Sequence, residues 1–208
     1  MEYSFHVYNK LAADGLSMGV DKLLHAHQNK KMIGAGMRSM QKSKEGSVRN
    51  LPVVVCIGSD LAIGDSLGPI VGSMLKFKTQ GLGVFIYGTL AAPVTAKEIR
   101  YMRTFLKETH RNNPVIAVDA AVGDSGDIGL IKINNTPLMP GAGANKQLGA
   151  LGDISIMGVV AEKSVANYGL LNTTRLNLVY SMAEIISNGL SALLWEQSLK
   201  EKLTQKQA

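Results

Sequence analysis

The chain has 208 residues, with 46% hydrophobic residues, one cysteine, and 22 Lys and Arg against 16 Asp and Glu. That length suffices for one domain with a sizeable core, and a single cysteine excludes an internal disulfide framework and a one-chain thiolate metal cage. The apolar runs are broken by Gly, Pro or charge before the ~18 residues a membrane helix needs, and the first residues lack the pattern of a secretory signal, so the expectation is a cytoplasmic protein without a membrane partner.

The first 50 residues carry a net charge of +4 of the total +6. They read as a basic, partly flexible extension in front of a domain spanning 51–208, with a short helix around Val20, Leu23, Leu24 and His27 that could pack back on the domain. The stretch 30–50, rich in Gly, Ser, Lys, Arg and Met, reads as a linker. His25 and His27 stand two apart and would not share a helix face. No aromatic residues interleave the basic ones of the linker, which argues against nucleic acid as a partner.

From Leu51 onward, strands alternate with helices. Pro52–Gly58 is a β-branched run suited to a strand buried on both faces, with Cys56 as a core residue. A helix is expected over 66–78, a strand over 84–87, and a long helix from Pro93 to His110. A third strand, 115–118, ends in Asp119, and further strands follow at 128–133 and 154–160. A Gly- and Asn-rich loop over 134–152 separates them. Asn172 or Thr173 is the expected cap of a last helix with apolar positions Leu176, Val179, Ala183, Ile186, Leu190 and Leu193. Helices of ten or more residues between strands imply parallel pairing with right-handed crossovers. The fold class is therefore α/β, a three-layer α/β/α sandwich with a mostly parallel sheet.

In such sheets the active crevice lies beyond the carboxyl ends of the strands, where strand order reverses. The first and third strands commonly flank that point, and each is followed here by a carboxylate, Asp65 and Asp119. A helix N-terminus would favour ionised Asp65, whereas desolvation and a neighbouring carboxylate would favour protonated Asp119. Two carboxyls pushed apart in this way serve as acid and base around one water. Their ordinary roles, a helix cap and a loop-satisfying strand end, stand beside that reading.

Other patterns carry less. Gly58, Gly64 and Gly68 miss the dinucleotide spacing, no phosphate-loop motif exists, and no nucleophile elbow supports a serine triad. Asp124 and Asp127 suit either a hard cation or a polar turn. Arg103, Lys107 and Arg111 fall four apart and read as a solvated basic stripe. No cofactor or metal is expected from these patterns.

Cys56-Ile57-Gly58-Ser59-Asp60, Gly64-Asp65-Ser66-Leu67-Gly68-Pro69, Val118-Asp119-Ala120 and Pro140-Gly141-Ala142-Gly143-Ala144-Asn145-Lys146 resemble the spore protease family known as YyaC. More distantly they resemble the germination protease of endospore-forming bacteria. The resemblance covers about residues 51–190. It implies the fold shared with hydrogenase maturation peptidases and an atypical aspartic endopeptidase of sporulation or germination, acting on a small protein or peptide such as a small acid-soluble spore protein. It carries the catalytic pair onto Asp65 and Asp119 and marks Asp60, Asn145, Lys146 and Asp153 as substrate-binding, with Lys146 stabilising developing negative charge. A spore or forespore compartment and a homo-oligomer are consistent with it. Such sequences tend to carry Asp-Arg-Ser-Thr where this chain has Asp60-Leu61-Ala62-Ile63. The alternatives are a metal-dependent maturation-type peptidase, with His110 in an incomplete ligand set, and an inactive peptide-binding relative in which residues 1–50 act as a tether or lid.

Overall fold

The computed structural model describes residues 1–34, 51–141, 148–163 and 174–205. Among them, six strands form one sheet in the order β1-β5-β6-β4-β2-β3, with β1 Glu2–His6, β2 Val53–Cys56, β3 Ile86–Tyr87, β4 Val115–Gly123, β5 Leu130–Asn134 and β6 Ile154–Glu162. Four helices, α1 Ala12–Gly34, α2 Leu67–Lys78, α3 Ile99–Thr109 and α4 Leu176–Gln205, flank it.

The all-apolar run Val53–Cys56 becomes a central strand because both faces are covered. Side chains alternate across the pleat, so Val54 and Cys56 join the core beneath α1, α2 and α4, while Val53 and Val55 join the core beneath α3. β4 repeats this, with Ile116 and Val118 on the first side and Val115 and Ala117 on the second. The expected three-layer α/β/α sandwich results. β2, β3, β4 and β6 run parallel, and β5 runs antiparallel to β6. The link from β4 to β5 is too short to return a chain to the same end of the sheet, so β5 must run the other way.

α4 is long and apolar enough in composition to cross a membrane, but half of that window is buried inside the fold. Val179, Met182, Ala183, Ile186, Leu190, Leu193 and Leu194 form its fully buried stripe against α1 and α2. Leu176, expected on that stripe, is exposed in the first turn. The expected caps Asn172 and Thr173 lie outside the described residues.

The first 34 residues correct the reading of a separate extension. β1 forms the edge of the sheet, pairing antiparallel with β5 from Glu2↔Asn134 to His6↔Leu130. α1 buries Ala12, Leu16, Val20, Leu23 and Leu24 at helical spacing. Burial of that stripe against α4 makes these elements part of the domain. Of the linker expected over 30–50, residues 30–34 instead continue α1, and 35–50 lie outside the described residues.

The helix expected from Pro93 begins only at Ile99. Val94 pairs with Ile57 beyond the end of β2. Thr95 and Glu98 then close a turn in which the Glu98 carboxylate accepts from the N–H and hydroxyl of Thr95.

Candidate active site

β2 and β4 are neighbours: the chain leaves β2 to form β3 on one side and returns to form β4 on the other. That reversal of strand order opens a crevice at their carboxyl ends. Beyond Cys56 the backbone stays anchored. The Ile57 N–H donates to the Val118 carbonyl at 2.7 Å, and the Gly58 N–H donates to the Val94 carbonyl at 3.0 Å.

Gly58 turns the chain at φ +138°, a conformation that L side chains rarely adopt, and a Cβ there would fall 2.0 Å from the backbone oxygen of Asp65. The Ser59 N–H donates to that oxygen at 3.1 Å. The absence of a side chain thus lets the loop fold back and lay Asp65 against the strand end. Asp65 occupies a single 3-10 turn, Gly64–Ser66, directly before α2. It is the N-cap of neither element; those positions are Ile63 and Ser66. The Ser66 hydroxyl fastens the turn by donating to the Ile63 carbonyl at 2.6 Å.

Asp119 lies within β4, opposite Met157 of β6, rather than ending the strand. β4 continues to Gly123 through a register shift at Ala121 and Val122. Asp119 is partly buried, and its Oδ1 accepts the Ala120 N–H at 2.8 Å. Desolvation first, and the negative charge of Asp65 second, hold its carboxyl well above the usual carboxylate range; the Ala120 hydrogen bond works in the opposite direction. Asp119 is therefore pushed toward its protonated form by burial and by the charge of Asp65. One group that retains a proton beside a second carboxyl is suited to polarise a carbonyl while its partner activates water.

The remaining candidates divide. Asp60 is exposed in the loop between Gly58 and the 3-10 turn. Next to it Leu61 is 91% exposed and Ile63 37%, so the rim beside Asp65 is apolar. Asp153 is corrected: it stands at the opposite end of the strands from the carboxyl pair. Its Oδ2 accepts the N–H of Val115, the first residue of β4, at 2.9 Å, and its Oδ1 lies 3.5 Å from His27 Nε2. The parallel register, Ile116 beside Ile154 and Asp119 beside Met157, separates it from the crevice by four residues, about 13 Å of strand. Asn145 and Lys146 lie outside the described residues.

His110 closes α3 as its C-cap. Its Nε2 shares a 2.8 Å hydrogen bond with the Tyr87 hydroxyl, and its ring packs against Phe85 and Phe105. Burial lowers its pKa, as expected of a neutral imidazole in an aromatic cluster. Asp127, in the 3-10 turn Ser125–Asp127, pairs with Lys132 of β5 at 2.7 Å, in keeping with the polar-turn reading. Among the described residues no three His, Cys, Asp or Glu side chains converge.

A family model described as "Protein of unknown function (DUF1256)" matches residues 25–189. The "Uncharacterized protein YyaC" of Bacillus subtilis (strain 168) is 45% identical over 139 residues, 67% of either chain. Among solved structures, the crystal structure of a NiFe hydrogenase maturation protease, HycI from Thermococcus kodakarensis KOD1, is 20% identical. It covers 68% of this chain and 94% of its own, with a TM-score of 0.35.

Proposed function

We propose that this chain, which belongs to the DUF1256 family, is an aspartate-dependent peptidase whose catalytic pair is Asp65 and Asp119. The observation that supports the reading is the placement of Asp119 in β4 beside β2 at the strand crossover, where burial and the charge of Asp65 push its carboxyl above the usual range. In the proposed reaction, Asp119 donates a hydrogen bond to the scissile carbonyl and Asp65 takes a proton from the attacking water. The C–N bond then breaks as the amine collects that proton. The exposed Leu61 and Ile63 favour a substrate that presents apolar side chains next to the bond. By the resemblance above, the substrate is a small spore protein, the setting is sporulation or germination, and the compartment is the cytoplasm of the spore or forespore.

The test is cleavage of a purified small acid-soluble spore protein by the full chain and by Asp119→Asn. Asparagine keeps the shape and an oxygen for the Ala120 N–H but cannot supply an acidic proton. The expected result is an ordered variant with turnover reduced by about 10²–10⁴. Undiminished cleavage by a folded Asp119→Asn chain would remove Asp119 from the reaction.

A further inference from the structure

A second cavity, of about 310 Å³, lies at the other end of β4 from Asp119. Its walls are the last turns of α3, the turn into β4 and the segment preceding β6, with Arg103, Lys107, Arg111, Leu106, Leu151 and Asp153 among the lining residues. The basic stripe of α3 therefore borders a concavity rather than an open helix face.

The cavity is held open by bonds that do not involve its cations. The Asn113 side-chain amide donates to the Leu51 carbonyl at 2.8 Å, His110 is tied to Tyr87, and Asp153 accepts from Val115. Asp153 is the only acid in the lining, and both its oxygens face other partners, Val115 and His27. Among the described residues, no carboxylate pairs with Arg103, Lys107 or Arg111. Gly149 contributes as well: at φ +83°, a Cβ there would fall 2.3 Å from Nη1 of Arg103. Its lack of a side chain lets the guanidinium lie across the backbone beside the cavity.

Three cations around an open concavity, with Lys107 and Arg111 exposed at its rim, favour a ligand carrying more than one negative charge. A carboxylate would leave most of that charge unanswered, whereas a phosphate brings close to two charges and three acceptor oxygens suited to an arginine fork. The volume stands at the lower end of the range for small-molecule pockets, and Leu106 and Leu151 supply an apolar wall. We propose that this cavity is a phosphate-binding site for inorganic phosphate or a small phosphate monoester, separate from the Asp65–Asp119 crevice and independent of the peptidase reading.

Calorimetric titration of the full chain with inorganic phosphate and with phenyl phosphate tests this. Both probes should bind saturably at one site, more weakly as salt rises. The Arg103→Gln/Lys107→Gln variant should lose affinity by about tenfold or more, while Lys76→Gln on α2 should bind as the parent does. Tighter binding of phenyl phosphate assigns the site to a monoester whose body rests on the apolar wall; equal binding assigns it to free phosphate. Should the double variant fail to fold, Arg111→Gln at an exposed position carries the same expectation. The absence of saturable heat with either probe, or undiminished binding in the folded variants, would overturn the site.

Discussion

Asp119 ties stability to catalysis at a single residue. A carboxyl raised above its ordinary value of 3.8 stabilises the fold below that pH, and the contribution is lost as pH rises through the elevated value. Asparagine carries no such titration. The Asp119→Asn chain should therefore gain on the parent as pH rises, and at neutral pH its Tm should stand a few degrees higher. Thermal unfolding across pH measures this, and a Tm difference independent of pH would show that Asp119 is not held protonated. Gly58 acts through geometry instead. Gly58→Ala must adopt φ +138° and force the Asp65 carbonyl away, at an expected cost of about 1–3 kcal/mol. Cleavage should fall with it, because the 3-10 turn loses its anchor; denaturant unfolding and turnover check both. The two carboxylates were legible in the sequence because each follows an apolar strand run. Asp153 could not be placed that way, since only strand register shows that it opens β6 beside Val115.

At the scale of elements, the N-terminal hairpin-like pair of β1 and α1 changes what counts as the domain. α1 shares a large interface with α4, and Tyr3 and Phe5 of β1 pack on the same core. A chain beginning at Leu51 would uncover the faces of α4 and β5 that α1 and β1 pack against, and its expected fate is aggregation rather than release of a restrained enzyme. Solubility and circular dichroism of that truncated chain check this; a soluble, folded and active product would restore the reading of a detachable segment. The signal for α1 was present in the spacing of Leu16, Val20, Leu23 and Leu24. For β1 it was only the alternation of Tyr3 and Phe5, which five residues make too short to separate from chance. The late start of α3 was illegible for another reason. Proline tolerates a first helical turn, yet Val94 is drawn into pairing with Ile57, and that partner lies 37 positions away in sequence.

At the scale of the whole molecule, β4 runs past two places of opposite character. Its carboxyl half carries Asp119 within the field of the Asp65 charge, and its beginning meets the basic stripe of α3 and the Asp153 carboxylate. Both follow from one sheet order, since placing β4 between β2 and β6 fixes what stands at either end. By itself, the sequence determined the α/β class and the central buried strands, and it marked Asp65 and Asp119 as carboxylates that follow apolar runs. These are carried by local apolar runs, helix-length spacers and glycines that act over a few residues. Tertiary structure alone decided the membership of β1 and α1 in the sheet and core, the antiparallel course of β5, and the separation of Asp153 from the crevice. It also decided that the basic stripe borders a concavity at the start of β4. Each of these depends on burial, register or charge acting through space between residues far apart in the chain, and no local pattern encodes such distances.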